Sequence, residues 1–244
     1  MANDYFRFKR FTLWQDRCAM KVGTDGTLLG AWARGGATVL DIGTGTGLIA
    51  LMMAQRYPAA TVTAIDIDAE ACRQAAANVA ASPFADRVSV VVSSLQSFAA
   101  AEEGMPPTTF DSVVCNPPFF TSTLLSPDSR RARSRHAVEL TYADLFRHAV
   151  RLLADDGELS AVIPFDCRSA FEAEAVINGL SVSRQCAVRT TAGKAPRRYL
   201  LAFTMRPPAT VEQTELIIGD DSYRSLTVDF YLDGVTEQQR AGTD

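Results

Sequence analysis

Val113, Val114 and Cys115 run straight into Asn116-Pro117-Pro118-Phe119. No β ladder continues through two successive prolines, because neither has an N–H to donate. The apolar triplet therefore reads as a core strand that stops at residue 116, and the proline that follows holds Asn116 extended. A polar amide, rigid main-chain carbonyls and an aromatic ring are left at the carboxyl end of a buried strand. In open α/β sheets, ligands bind at that end.

The rest of the chain reads as a sheet built around this strand. Residues 38–42 and 61–65 are predicted strands, and residues 46–56 a helix with Leu48, Ile49, Met52 and Met53 on its apolar side. Residues 69–81 form an alanine-rich helix. Residues 88–92 alternate so little that both faces of this strand are expected to be covered. Further on, a helix over 142–154 ends at Asp156-Gly157, a strand follows at 158–164, and residues 165–178 are helical up to Gly179. Two late strands, 181–190 and 198–205, follow each other without a crossover helix and so read as an antiparallel hairpin. Near the start, Asp25-Gly26 is a turn signal before a short helix at 27–33.

No repeat or linker divides the 244 residues, a length that suits one large α/β domain. The expected organisation is an N-terminal arm (1–35) packed on a domain (36–210), then an acidic extension (211–244). That extension leaves room for short extra strands at 214–232. It holds eight acids against Arg224 and Arg240, so the net charge of −4 hides an excess of +2 over residues 1–210. The five cysteines are odd in number and never in a Cys-x-x-Cys pair. Buried free thiols in a reduced cytoplasmic protein explain them better than disulfides or zinc. With two histidines, no histidine-built metal site is expected, and no apolar run approaches the roughly 20 residues of a membrane helix.

The segment VLDIGTGTGLIALMMAQ is strand, glycine-rich turn and helix. Gly43, Gly45 and Gly47 let a ligand approach the backbone without Cβ obstruction. The pattern is G-x-G-x-G, not the dinucleotide G-x-G-x-x-G, and Asp41 stands before it. A carboxylate there is badly placed for a pyrophosphate but suits a cation such as an α-amino group. Asp66, with Ile67 beside it, ends the second strand where an acid can hold both hydroxyls of a ribose. An acid for an ammonium and an acid for a ribose point to S-adenosylmethionine. Ser94, ending the third strand, stands where an adenine contact falls; Asp68 reads better as a helix N-cap. The candidate cofactor residues are therefore Asp41, Gly43, Gly45, Gly47, Asp66, Ile67, Ser94 and Asn116.

DIGTGTG, AID and NPPF, in this order, resemble the class I S-adenosylmethionine-dependent methyltransferases. The resemblance implies a Rossmann-like, mostly parallel sheet of seven strands whose last strand is antiparallel. FKRFTLWQDRCAMKVGTDGTLLGAWA, VCNPPFF, RSRHA and GKAPRRYLLAF are more specifically similar to the bacterial tRNA (adenine-N6)-methyltransferases that modify adenosine 37 of a valine tRNA. That similarity covers about residues 6–203, so the acidic segment after Val211 falls outside it. Ala137 departs from the polar residue expected in RSRHA.

The exocyclic amine of adenine is a poor nucleophile, since its lone pair is delocalised into the ring. Acceptors that hold its two N–H groups favour pyramidalisation, and the Asn116 amide oxygen and the Pro117 carbonyl are suited to this. Pro117 and Pro118 fix the backbone, Phe119 is placed to stack on an extruded base, and Phe120 is a wall or second platform. The catalytic candidates are thus Asn116, Pro117, Pro118 and Phe119.

Three basic clusters offer phosphate contacts: FRFKR at the N-terminus, the loop with Arg130, Arg131, Arg133 and Arg135, and the turn with Lys194, Arg197 and Arg198. Cations interleaved with aromatics fit a single-stranded or loop RNA. A protein glutamine offers Asn116 the same planar amine, so the tetrad alone leaves a glutamine methyltransferase open, as it does adenine in rRNA or DNA. A degenerate fold kept only for RNA binding predicts a damaged pocket, whereas Asp41, the three glycines, Asp66 and Asn116 are all present.

Overall fold

The structure is a computed structural model that describes residues 4–16, 21–100, 108–118 and 140–232. Phe119, Phe120 and the arginines at 130, 131, 133 and 135 lie outside the described residues. An N-terminal hairpin, β1 (Tyr5–Arg7) and β2 (Thr12–Trp14), precedes α1 (Thr24–Trp32). The alternating body follows as β3 (Thr38–Ile42), α2 (Leu48–Arg56), β4 (Thr61–Asp66), α3 (Ala69–Ala80), β5 (Val88–Val92), α4 (Leu95–Ala100) and β6 (Phe110–Cys115). The later part comprises α5 (Tyr142–Leu152), β7 (Leu153–Pro164), α6 (Arg168–Ile177), β8 (Ser181–Arg189), β9 (Arg198–Thr204), β10 (Glu212–Ile217) and α7 (Asp221–Thr227).

The main sheet runs β10-β8-β9-β7-β6-β3-β4-β5. Every pairing in it is parallel except those of β9, which runs against both β7 and β8. The antiparallel hairpin read from the sequence is β8–β9. Among the described residues the sheet has eight strands, not seven, because β10 pairs in parallel with β8. The sequence expectation of short strands in this segment is otherwise met once, and Asp220 caps α7 by accepting the Tyr223 amide at 2.8 Å.

Two apolar clusters cover the two faces. One joins α1, α2, α3 and the hairpin; the other joins α4, α5 and α6. Helix α2 is buried from Leu48 to Gln55, so its apolar side extends all round. It packs on β3, β4 and β5 beside α1, which itself lies against β7 and β9, and the approach to α1 is close. A Cβ on Gly26 would stand 3.1 Å from Leu48, and one on Gly30 would stand 2.7 Å from the Met52 sulfur. This packing requirement explains the glycines in TDGTLLGAW.

Three expectations are corrected. Among the described residues β5 is an edge strand, with Val91 and Val92 exposed, so its uniform valines do not mark a strand covered on both faces. Helix α5 ends at Leu152 and β7 begins at once, two residues earlier than the Asp-Gly signal suggests for the end of the helix. The aromatic residues of FRFKRF are not free to stack on RNA. Phe8 and Phe11 are buried, their rings 4.7 Å apart, and they pack near Tyr231 and Phe84. The chain's burial need outweighs exposure of those rings, since each covered aromatic contributes about 2 kcal/mol.

Cys72, Cys115, Cys167 and Cys186 are free and buried. Among the described residues, no helix is long and apolar enough to cross a membrane.

Candidate active site

Register brings the predicted residues to one tier. Ile42 of β3 pairs with Ile65 of β4 and with Cys115 of β6. The next residue on each strand is therefore Gly43, Asp66 and Asn116, all at the carboxyl end of adjacent strands. The amides of Gly43 and Thr44 both donate to the Ile65 carbonyl, at 2.9 and 3.0 Å, which stitches the turn to β4.

Gly43, Gly45 and Gly47 all have positive φ, at 71°, 55° and 85°. Only glycine adopts such angles without strain. A Cβ on Gly43 or Gly45 would meet nothing within 4 Å, so the turn faces open space. Asp66 fixes this cradle. Its Oδ2 accepts the Gly45 amide at 2.9 Å, and its Oδ1 accepts the Asp68 amide at 2.9 Å. Each carboxylate oxygen has a second lone pair, so the group still has acceptor capacity for hydroxyls. Ile67, beside it, is 47% exposed.

Asp41 is placed less openly than the sequence suggests. It is wholly buried, and its Oδ2 accepts from the Thr44 hydroxyl at 2.7 Å and from the Ala50 amide at 3.1 Å. Helix α2 opens on Gly47, which has no side chain to cap it. Asp41 thus satisfies an amide of its first turn from the neighbouring strand. Its Oδ1 has no partner among the described residues. Burial pushes this carboxyl up to about 7, against the pull of the Thr44 and Ala50 bonds, and Asp66 adds to the rise.

Ser94 caps α4, accepting the Ser97 amide at 3.0 Å. Asp68 is the N-cap of α3, accepting the Glu70 amide at 2.8 Å. Lys194 and Arg197 are exposed in the β8–β9 turn. Since Arg198 pairs with Pro164 at the end of β7, that turn stands at the same end of the sheet as Asn116.

Asn116 follows β6 directly, with Pro117 buried and Pro118 exposed. The Asn116 Oδ1 is buried and has no partner among the described residues. An unmet acceptor of this kind costs roughly 1–3 kcal/mol, which a ligand N–H would recover. Phe165, which the sequence reading does not single out, is 49% exposed just past the end of β7, its ring 6.2 Å from Tyr199. The signal was present: β7 ends in Pro164-Phe165 much as β6 ends in prolines and Phe119.

The family model for the methyltransferase small domain matches residues 28–181. A crystal structure of a predicted O-methyltransferase from Agrobacterium tumefaciens superposes with a TM-score of 0.63 at 20% identity, over 84% of this chain and 96% of that one. Fold, glycine turn and strand-end amide together are those of a class I methyltransferase, and the chain has a methyltransferase small domain. Relatives named tRNA1(Val) (adenine(37)-N6)-methyltransferase are 43% identical in Parabacteroides distasonis, 45% in Phocaeicola vulgatus and 38% in Tolumonas auensis, each over 95% of this chain and 98–99% of their own. The chain belongs to the family of tRNA1(Val) (adenine(37)-N6)-methyltransferases. With 95% of the chain covered, most of the segment after Val211 is shared with these relatives, contrary to the sequence expectation.

Proposed function

We propose that this protein is a cytoplasmic enzyme that transfers a methyl group from S-adenosylmethionine to N6 of an adenine in tRNA, adenosine 37 of a valine tRNA. The observation that carries the reading is Asn116 Oδ1, a buried amide oxygen without a partner among the described residues, one residue past β6 and level with the glycine turn. Family membership supports the choice of base and polymer.

The donor set fits the cofactor. The open turn over Gly43 and Gly45 would take its backbone-like part, Asp66 its ribose hydroxyls, and the Oδ1 of Asp41 its ammonium. Ile67 would lie against the adenine, and Ser94, which stands two residues past β5 and caps α4 instead of ending the strand as expected, would contribute from there. When bound, S-adenosylmethionine supplies an electrophilic methyl group on a sulfonium. Asn116 would accept one N–H of the target amine and the Pro117 carbonyl the other, which favours a pyramidal nitrogen whose lone pair is localised instead of shared with the ring. Rigid acceptors placed beforehand lower the barrier without reorganising during the reaction. Phe119 and Phe120 would sandwich the base, with Phe165 as a further wall. Arg131, Arg133 and Arg135, together with Lys194 and Arg197, would take phosphates.

Incubation with labelled S-adenosylmethionine and unmodified bulk tRNA, with cell protein in parallel, tests the reading. N6-methyladenosine in the tRNA is the expected product. Label in protein but not in tRNA would move the assignment to glutamine, and label in neither would overturn it.

A further inference from the structure

The N-terminal hairpin carries five aromatic rings, and they divide by face. Phe6, Phe8 and Phe11 turn inward onto the core. Tyr5 and Trp14 do not. They are directly opposite each other in the ladder, are 42% and 47% exposed, and their ring centroids lie 5.3 Å apart. Strand alternation puts Arg7 on the same outward face as Tyr5, and Arg7, Lys9 and Arg10 are exposed.

This outward pair is held rigidly beside the cofactor cradle. The Asn78 side chain, wholly buried, accepts the Trp14 amide at 2.9 Å and donates to the Trp14 carbonyl at 2.9 Å. The same amide nitrogen donates to the carbonyl of Thr46, within the glycine turn, also at 2.9 Å. One side chain thus links the aromatic platform to the turn. At its other end the hairpin meets a cavity of about 490 Å³ lined by Lys9, Arg10, Arg56, Gln55, Tyr57 and Asp229, three cations against one carboxylate. The surface therefore runs from exposed rings near the cofactor cradle to positive charge away from it.

We infer that this face is a tRNA contact, in which Tyr5 and Trp14 stack on an unpaired base while Arg7, Lys9 and Arg10 take the phosphates of the strand leading towards the cavity. Rings give sequence-tolerant stacking and cations track the backbone, the combination that single-stranded nucleic acid requires. The inference rests on tRNA being the substrate.

The test is an anisotropy titration of labelled, unmodified valine tRNA with three proteins: wild type, Tyr5→Ala/Trp14→Ala and Tyr5→Phe/Trp14→Phe. S-adenosylmethionine affinity, methylation kinetics and thermal midpoints are measured alongside. The alanine pair is expected to bind tRNA roughly tenfold more weakly or worse, with KM for tRNA raised, kcat kept and cofactor affinity unchanged. The phenylalanine pair is expected to behave as wild type. Wild-type binding by the alanine pair overturns the platform. Equal losses in both variants overturn stacking as the cause, and a matching loss of cofactor affinity assigns the rings to packing instead. Wild type that neither binds nor methylates tRNA overturns the substrate reading itself, which separates that failure from failure of the platform.

Discussion

Asp66 Oδ2 accepts the amide of Gly45 at 2.9 Å, so the end of β4 holds the middle of the glycine turn. One carboxylate both shapes the cradle and remains able to accept hydroxyls. Asp66→Ala is expected to weaken S-adenosylmethionine binding by roughly tenfold to a hundredfold, the worth of a hydrogen bond to a charged group. Isothermal titration calorimetry checks it; unchanged affinity would show that the turn holds itself.

Asn116→Ala should behave in the opposite way. Its Oδ1 has no partner among the described residues, so little stability is lost with it. The thermal midpoint and cofactor affinity should hold while kcat falls by about 10²–10³, as for loss of one preorganised polar group. A fall in the midpoint without a fall in kcat would make Asn116 structural.

Asp41 predicts a pH dependence of stability. Its folded pKa, about 7, lies above the ordinary value of 3.8. Between those two pH values the folded state binds the proton that the unfolded chain has released. Stability from this group is thus full below pH 3.8 and is lost as the pH rises to about 7, a loss on the order of a few kcal/mol. Asp41→Asn keeps an oxygen for Thr44 and Ala50 but does not titrate. Its thermal midpoint should fall less than that of wild type between about pH 5 and pH 8 by differential scanning fluorimetry, the range in which wild type loses its proton. Parallel curves would remove the assignment.

Glu158 and Arg184 form a buried pair at 2.5 Å between β7 and β8, with Arg184 lying over the Trp32 ring. Glu158→Ala leaves a buried cation unmatched and should cost about 3–5 kcal/mol by urea denaturation. The pair tethers α1 to the sheet far from Asn116, so the folded fraction should retain its kcat.

Lys194 and Arg197 stand in the β8–β9 turn, at the same end of the sheet as Asn116. Replacing both by alanine should weaken tRNA binding and lower the dependence of log K on log salt by roughly 0.7 for each phosphate no longer neutralised. A salt series on wild type and variant reads this directly, and an unchanged slope would leave the turn without a role.

Much of this architecture was legible locally. Prolines at 117 and 118 stop β6, glycines at 43, 45 and 47 demand their turn, and Asp68 sits where a cap is needed; each follows from neighbouring residues alone. What stayed hidden depends on distant partners. Asp41 reads as an acid at a strand end, and nothing in its neighbours shows that one of its oxygens also serves the helix that the bare Gly47 opens. Phe8 and Phe11 read as rings for RNA until Tyr231 and Phe84 are seen to cover them. The valines of β5 cannot reveal that no strand among the described residues lies beyond them, because period and composition are the same at an edge and in the middle. β10 reaches back past β9 in the chain to pair Glu212 with Arg184, a match that no local pattern announces.

That added strand also decides what the sheet offers its surroundings. Among the described residues β10 is the outer strand, and two of its acids face partners on the molecule itself: Glu212 reaches Arg34 at 2.9 Å and Glu215 reaches Arg189 at 2.7 Å. An open edge is a template on which another chain can grow, and carboxylates along it raise the cost of bringing two such edges together. If β10 ends the sheet in this way, sedimentation at high protein concentration is expected to find single chains, and a concentration-dependent dimer would overturn it.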